Sequence, residues 1–192
     1  MTDPGGRSRV AVGFRPLGEK KLYQGSLISL ARGTFSAPDG AQFERDIVHH
    51  PGAVSMVPYL EETGEVVMVR QYRAAIDRVL LEIPAGKRDV DGEAPEVTAQ
   101  RELVEEIGMR AGRLELLAEF YNSPGFSDEY SYTYLAGNLQ PDTPERHGVE
   151  EEHMTLERIR LDDVPALIER REIVDAKTII GLMLARDREA PK

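Results

Sequence analysis

Short runs in which hydrophobic and polar residues alternate make up most of the chain, and this period of two is typical of β-strands. Turn residues separate the runs, as in Ser36-Ala37-Pro38-Asp39-Gly40 and Glu61-Glu62-Thr63-Gly64. Residues 1–17 are rich in Gly, Pro and Arg and are expected to be poorly ordered. The predicted strands are two or three between Lys20 and Val48, followed by 53–60, 65–73, 79–86, 114–121, 130–137 and 153–161.

Helical spacing of hydrophobic residues predicts three helices, near 95–107, 162–171 and 175–188. Pro95 suits the first turn of the first helix, and Gly108 suits the position just past its end. Strands mixed with an internal helix and terminal helices predict an α+β fold rather than a doubly wound parallel sheet. Pro51-Gly52 marks a boundary, so we expect an N-terminal β subdomain at 1–50 and a larger domain at 51–192.

The composition excludes several classes of protein. Lys and Arg number 24 and Asp and Glu number 34, so the net charge of −10 argues against binding to nucleic acid. There is no run of 18 apolar residues, and the N-terminus lacks the pattern of a signal peptide, so no membrane span is expected. The absence of cysteine excludes disulfides and thiolate metal sites. Together these features predict a cytoplasmic protein.

One face of the predicted helix at 95–107 is strongly acidic. At about 100° per residue, Glu102, Glu105 and Glu106 fall on the same side of the helix. Like charges at these spacings destabilise a helix by a few tenths of a kcal/mol per pair, roughly. A hard divalent cation bound by carboxylate oxygens would offset that repulsion. The sequence therefore predicts a metal site on this face.

The stretch that contains this helix resembles the signature of the Nudix hydrolase family, G-x5-E-x7-R-E-U-x-E-E-x-G-U, where U is a bulky aliphatic residue. Six residues rather than five separate Gly86 from Glu93, which leaves the helix register intact. The alternative interpretation is a charged amphipathic helix that faces solvent, and it does not explain this spacing. The matching residues are Gly86, Glu93, Arg101, Glu102, Leu103, Glu105, Glu106, Gly108 and Met109.

The resemblance implies an α/β/α sandwich, the Nudix fold, and the hydrolysis of a nucleoside diphosphate linked to another moiety. Such enzymes use two or three Mg²⁺ ions, and Mn²⁺ or another divalent cation can take their place. By resemblance, Arg101 would orient the glutamates of the helix, and Glu93 would brace the joint between loop and helix. The implied metal ligands are the carbonyl oxygen of Ala85 and the carboxylates of Glu102, Glu105 and Glu106.

Two further segments resemble the ADP-ribose pyrophosphatase branch of the family. The loop NSPGFSDE, 122–129, places Pro124 about fifteen residues past the signature, and Glu129 would reach the ribose or the diphosphate. A Ser-Pro-Gly turn is also common in loops of any function. Arg73 in VRQYR would contact the diphosphate, a role that suits the planar fork of arginine, although basic residues are common at strand ends.

The same branch implies a homodimer in which the N-terminal β subdomains are exchanged. Arg45 would then come from the partner subunit and contact the adenine. The family also stacks an aromatic side chain on the adenine, but here Ser26 follows Tyr23-Gln24-Gly25. Tyr23 and Phe35 are both candidates for this position.

The run Val149–Met154 is similar to the acidic loop that supplies the catalytic base or a last metal ligand in this family. Glu151 is favoured as the base, with Glu150 next, and Glu152 is a candidate ligand. A solvated acidic loop is the alternative interpretation.

The predicted reaction is hydrolysis of ADP-ribose to AMP and ribose 5-phosphate. The alternatives are another nucleoside diphosphate sugar, such as GDP-mannose or ADP-glucose, and a nucleotide-binding module without activity. Such modules often lack the carboxylates that this chain retains.

Overall fold

The computed structural model describes residues 13–143 and 152–189. Within them the chain divides into two compact units. One unit takes the chain up to Gly52 together with Glu119–Ser131, and the other takes Ala53–Ala118 and the chain from Tyr132 onward.

The N-terminal unit contains a three-stranded antiparallel sheet in the order β1-β2-β3. Its strands are β1 Arg15–Gln24, β2 Ser29–Ser36 and β3 Gln42–His49. Because β1 begins at Arg15, the expectation of poor order is wrong for residues 15–17, while residues 1–12 lie outside the described part. Every residue of β1 is exposed, so the sheet buries little on that side.

The loop 122–129 belongs to this same unit and is tied to the end of β3. The backbone N–H of Val48 donates to the carbonyl oxygen of Phe126 at 2.8 Å, and the N–H of Asp128 donates to Val48 at 3.1 Å. These bonds fix the loop at a strand end, where its side chains remain accessible.

A seven-stranded sheet makes up most of the second unit, in the order β10-β5-β4-β9-β8, with β6 also paired with β5 and β7 with β4. The strands are β4 Ala53–Leu60, β5 Glu65–Arg73, β6 Arg78–Glu82, β7 Ala85–Lys87, β8 Met109–Tyr121, β9 Tyr130–Pro141 and β10 Thr155–Arg160. Residues 119–121 of β8 and 130–131 of β9 fall in the N-terminal unit.

Three α-helices are present in the described residues: α1 Pro95–Ile107, α2 Val164–Glu169 and α3 Ala176–Glu189. Short 3₁₀ turns lie at Ala74–Ile76 and Leu161–Asp163. None of the described helices is long and apolar enough to cross a membrane. The apolar sides of the central strands, α2 and α3 pack into one core, whose fully buried members include Val57, Val66, Met68, Ile83, Leu135 and Leu182.

Several boundaries differ from the sequence prediction. The single strand expected at 79–86 is divided into β6 and β7 around Pro84, which has no N–H to donate to a strand ladder. Strand β8 begins at Met109, directly after the first helix, rather than at residue 114. The helix expected at 162–171 is a 3₁₀ turn followed by a short helix that ends at Glu169, and Arg171 then takes a positive φ of 61°.

Candidate metal and pyrophosphate site

Helix α1 starts without a side-chain cap, because Ala94 occupies the N-cap position and Pro95 follows it. The joint is instead held from the preceding loop by Glu93. The hydroxyl of Thr98 donates to Glu93 Oε2 at 2.7 Å, and Arg101 donates to the same oxygen at 3.4 Å. The hydrogen bond from Thr98, followed by the charge of Arg101, lowers the pKa of Glu93 and keeps it ionised. Glu93 is thus placed where it can fix the entry into the helix.

The C-terminal end of α1 is a glycine cap. Gly108 has φ 64° and ψ 36°, a left-handed conformation that is costly for residues with a Cβ. Its N–H donates to the carbonyl oxygen of Val104 at 3.0 Å. Leu103 and Ile107 on the other side of the helix are buried, which sets the rotation of the acidic face.

Arg101 is the centre of the acidic face. Its Nη1 donates to Glu102 Oε1 at 3.0 Å and to Glu105 Oε2 at 2.9 Å. Burial opposes the charge of the guanidinium, but attraction from Glu102, a hydrogen bond to Glu93 and attraction from Glu105 outweigh it. The pKa of Arg101 therefore lies above its ordinary value, and the residue is a fixed cation among carboxylates.

Glu106 is the most buried carboxylate of this face, with 3% of its surface exposed. The backbone N–H of Ala85 donates to Glu106 Oε2 at 3.1 Å, which joins the loop after β6 to the helix. The carbonyl oxygen of the same residue, Ala85, is the atom that the family resemblance implies as a metal ligand.

Gly86 allows Glu102 to approach the backbone of β7. A Cβ built on Gly86 would lie 1.8 Å from Cδ of Glu102 and 2.2 Å from its Oε1. Any other residue at position 86 would therefore displace the carboxylate. This contact gives a physical reason for a glycine at the start of the sequence signature, in spite of the extra residue before Glu93.

The donor chemistry of this face fits a hard divalent cation. Glu102, Glu105 and Glu106 present carboxylate oxygens within two turns of one helix, and Glu106 is largely shielded from water. Within residues 13–143 and 152–189, however, no three carboxylate or imidazole groups already converge on one point. Arg101 donates to Glu102 and Glu105, and the Ala85 amide donates to Glu106.

Arg73 lies at the end of β5 and is paired with Glu82 of β6. Its Nε donates to Glu82 Oε1 at 2.8 Å and its Nη2 donates to Oε2 at 2.6 Å. Lys177 of α3 donates to the same Oε2. The sequence prediction singled out neither Glu82 nor Lys177. A signal was available for Glu82, because a charged residue inside the apolar run VLLEIP is seldom buried without a partner.

Arg45, Pro124 and Glu129 belong to the N-terminal unit. The guanidinium carbon of Arg45 lies 4.8 Å from the centre of the Phe43 ring, and its Nη1 donates to the carbonyl oxygen of Glu44 at 2.7 Å. Pro124 lies within a turn closed by the N–H of Ser127, which donates to Ser123 at 2.9 Å.

The carboxylate of Glu129 lies 3.9 Å from Nδ1 of His50, a pair within the same unit. Of the two aromatic candidates for the adenine, Phe35 already stacks on Phe43 at 5.5 Å between ring centres. Tyr23 is 62% exposed, so its ring is the more accessible of the two.

The acidic loop is described only at its end. Glu150 and Glu151, the candidates for the base, lie outside the described residues. Glu152 is described and is exposed. Met154, two residues later, is 3% exposed and anchors the chain where it enters β10.

Comparisons with known proteins identify relatives of this chain. The chain is 38% identical over 176 residues to ADP-ribose pyrophosphatase of Bacillus subtilis (strain 168), covering 92% of this chain and 94% of that protein. It is 36% identical over 173 residues to the methanol dehydrogenase activator of Bacillus methanolicus, covering 90% and 92% of the two chains. It is 31% identical over 146 residues to GDP-mannose pyrophosphatase of Enterobacter sp. (strain 638), covering 72% and 75%.

The fold has a solved counterpart. A crystal structure of an ADP compounds hydrolase superposes with a TM-score of 0.80 at 22% identity, covering 94% of this chain and 96% of that one. This likeness confirms the predicted α+β architecture. Residues 49–179, well over half of the 192 residues, match the sequence profile of the NUDIX domain. The chain belongs to the Nudix family.

Proposed function

We propose that this Nudix protein hydrolyses the pyrophosphate of ADP-ribose, giving AMP and ribose 5-phosphate. The observation that carries the proposal is the acidic face of α1, where Glu102 and Glu105 share Nη1 of Arg101 and Glu106 is buried against the Ala85 amide. Similarity over nearly the whole chain to a protein named ADP-ribose pyrophosphatase supports this substrate.

The proposed metal ligands are the carbonyl oxygen of Ala85 and the carboxylates of Glu102, Glu105, Glu106 and Glu152, and the proposed ion is Mg²⁺ or, in its place, Mn²⁺. Bound divalent cations would neutralise charge on the pyrophosphate and lower the pKa of the attacking water. Arg101 donates to Glu102 and Glu105 and so fixes the orientation of these two carboxylates.

The proposed base is Glu151, or Glu150 in its place. The carboxylate would accept a proton from water as the water oxygen forms a bond to one phosphorus and the bond from that phosphorus to the bridging oxygen breaks. The two products of this cleavage are AMP and ribose 5-phosphate. In the sequence this base is well separated from the glutamates of α1, which suits a role distinct from metal binding.

Substrate binding is proposed to use Arg73 and Glu129 at the diphosphate and ribose, Pro124 to shape the loop 122–129, and Arg45 at the adenine. The guanidinium carbon of Arg45 lies 4.8 Å from the centre of the Phe43 ring, and a guanidinium can also stack on a planar base. The proposal includes a homodimer in which the N-terminal strands, 1–50, are exchanged, and a cytoplasmic location.

The rival substrate is another nucleoside diphosphate sugar. The similarity to GDP-mannose pyrophosphatase is lower and covers less of the chain. A binding module without activity is less favoured, because every carboxylate of the sequence signature is retained.

The substrate is tested by steady-state kinetics with ADP-ribose, GDP-mannose and ADP-glucose at equal Mg²⁺. We expect kcat/KM to be highest for ADP-ribose, with AMP and ribose 5-phosphate as products and complete loss of turnover in excess EDTA. A higher kcat/KM for GDP-mannose or ADP-glucose would refute the proposed substrate. Turnover of none of the three sugars would refute hydrolysis and favour the binding module.

A further inference from the structure

Glu82 is a buried carboxylate for which the proposed reaction has no use. It lies at the end of β6, is 1% exposed, and sits in a run of apolar residues that form the core. A carboxylate in such a place is costly unless it is paired and fully hydrogen-bonded.

Two cations from distant parts of the chain bind this carboxylate. Arg73 of β5 makes a two-pronged contact with it, through Nε at 2.8 Å and Nη2 at 2.6 Å. Lys177 of α3 donates its ammonium to Oε2 as well. The pKa of Glu82 is lowered, because the contacts with Arg73 and Lys177 outweigh the effect of burial, so the group is an anion.

Lys177 is in turn fixed at the start of α3 by Asp175. The ammonium donates to Asp175 Oδ2 at 2.9 Å, and the same oxygen accepts the backbone N–H of Thr178 at 3.0 Å and its hydroxyl at 2.6 Å. The hydroxyl oxygen of Thr178 accepts the N–H of Ile83, the residue after Glu82, at 3.1 Å. A continuous set of bonds therefore runs from the N-terminus of α3 to the guanidinium of Arg73.

The side chains of Glu82, Lys177 and Arg73 differ in solvent exposure, and a purely structural ion pair would not need this difference. The side chain of Glu82 is 1% exposed and that of Lys177 15%, whereas 37% of the Arg73 side chain is exposed. Glu82 takes Nε and Nη2 of the guanidinium, which leaves the edge with Nη1 outside this contact. Glu82 lies three residues before Ala85, whose N–H donates to Glu106 at 3.1 Å, so Arg73 is held by the segment that leads to the acidic face of α1.

We propose that Glu82 and Lys177 are positioning residues that hold the guanidinium of Arg73 in the orientation in which its remaining edge binds the diphosphate of the substrate. The inference rests on the proposed role of Arg73 in binding. Its physical reason is that a guanidinium already fixed by a buried partner loses less conformational freedom when it binds a phosphate. Lys177 also donates to Oε2 of Glu82, so Arg73 is not the sole cation that neutralises this buried carboxylate.

A matched pair elsewhere on β5 provides the control. Arg70 makes the same two-pronged contact with Glu157 of β10, with Nε at 2.5 Å and Nη2 at 3.1 Å. Arg70 lies three residues before Arg73, so it points to the opposite side of the strand. Its partner is 35% exposed, unlike Glu82. Glu157→Gln therefore removes an Arg–Glu pair of equal chemistry without the proposed role.

The test is a double-mutant cycle on kcat/KM with Glu82→Gln and Arg73→Ala, measured for ADP-ribose and for GDP-mannose. We expect Glu82→Gln to lower kcat/KM by roughly 100-fold in the wild-type background, because small misplacements of a binding group are costly. In the Arg73→Ala background the same change should have less than about a twofold effect, since both act through one contact. Glu157→Gln should leave kcat/KM unchanged in either background.

If Glu82→Gln does not fold, Lys177→Met is measured in its place. It keeps the contact between Glu82 and Arg73 and should lower kcat/KM by a smaller factor that again disappears with Arg73→Ala. Binding of ADP in EDTA, followed by calorimetry, gives a second readout, and Glu82→Gln should weaken it by about tenfold.

Three results would overturn the positioning role. The first is unchanged kcat/KM in a folded Glu82→Gln or Lys177→Met variant. The second is an equal loss with and without Arg73, which indicates a purely structural contribution, and the third is unchanged binding of ADP. A different result would refute only the proposed substrate. In that case the wild type prefers GDP-mannose, and the coupling between Glu82 and Arg73 is still observed with that sugar.

Discussion

At the scale of single residues, the acidic face of α1 is a case of like charges held close by one cation. Nη1 of Arg101 serves both Glu102 and Glu105, and Nη2 reaches Glu93. The spacing of these residues is fixed by the helix itself, which is why it could be predicted from the sequence. The partners of Arg73 could not, because Lys177 is separated from Glu82 by 95 positions and only the fold brings them together.

Glu106→Gln tests the metal-binding role of the most buried glutamate. We expect kcat to fall by at least about 100-fold with Mg²⁺ present, because a neutral amide is a poor ligand for a hard cation. The fold should be retained, since the amide oxygen can still accept the N–H of Ala85. Steady-state kinetics and thermal unfolding measure the two effects.

Glu96→Gln is the matched control for that change, as Glu96 is an exposed glutamate in the first turn of the same helix. Its kcat should equal that of the wild type. Near-normal turnover of the Glu106→Gln variant would rule out the proposed metal ligand.

Gly86→Ala tests the approach of Glu102 to β7. The new Cβ would lie 1.8 Å from Cδ of Glu102, so the carboxylate must move, while the backbone has no need to. We expect a loss of about tenfold or more in kcat/KM and a higher Mg²⁺ requirement, with little change in Tm. Gly18→Ala, where no atom of the same chain lies within 4 Å of the new Cβ, is the control and should leave the Mg²⁺ requirement unchanged. A Gly86→Ala variant with unchanged Mg²⁺ dependence would contradict this account.

At the scale of secondary structure, the elements with local signals at their ends were predicted best. Helix α1 runs from Pro95 to Ile107 as predicted, because the proline and Gly108 mark its two ends. The prediction of a single strand at 79–86 was wrong, because Pro84 divides it into two. Strand β9 continues past its predicted end at Gly137 to Pro141. Its continuation depends on Asn138, whose N–H donates to Glu61 at 3.0 Å, a contact between distant residues.

The junction of β1, β3 and the loop 122–129 contains a histidine between two carboxylates. Nδ1 of His49 lies 2.5 Å from Asp128 Oδ2, and its Nε2 lies 3.0 Å from Glu19 Oε2. The contact with Asp128 raises the pKa of His49, burial opposes this, and the contact with Glu19 adds to it, so the net shift is upward. Asp128 also accepts the N–H of His50 at 2.9 Å. The junction is therefore strongest when His49 is protonated.

This shift predicts a pH-dependent stability. Because the pKa of folded His49 exceeds that of the unfolded chain, its contribution is fully present below the ordinary histidine value of about 6.5. It is lost as the pH rises through the higher pKa of the folded state. From about pH 6 to about pH 9, the Tm of the wild type should therefore fall relative to that of His49→Gln.

Thermal unfolding at a series of pH values measures this difference. His153→Gln, at an exposed histidine, should follow the wild type throughout. If the Tm of His49→Gln stays a constant interval from that of the wild type across the range, the junction does not depend on protonation of His49.

At the scale of the whole molecule, the N-terminal sheet exposes more apolar surface than a strand in water usually does. All ten residues of β1 are exposed. The exposed apolar side chains of this region include Phe14 at 50%, Leu17 at 52%, Leu22 at 44% and Tyr23 at 62%. Several exposed apolar side chains on one strand favour an interaction site there, and an edge strand offers backbone groups to a partner. A second copy of the chain would cover it, which is the physical reason for the proposed homodimer.

Leu17→Glu tests the dimer. In the isolated chain this side chain is largely exposed, so a glutamate there should cost the fold little, whereas at a subunit interface it would bury an unpaired charge. We expect light scattering at micromolar concentration to give twice the mass of one chain for the wild type and a shift toward one chain for Leu17→Glu. Leu156→Glu, at a leucine 42% exposed on β10, should remain dimeric. A wild type whose mass equals that of one chain would exclude the exchanged subdomain. If Arg45 acts across the interface, the Leu17→Glu monomer should also lose affinity for ADP-ribose.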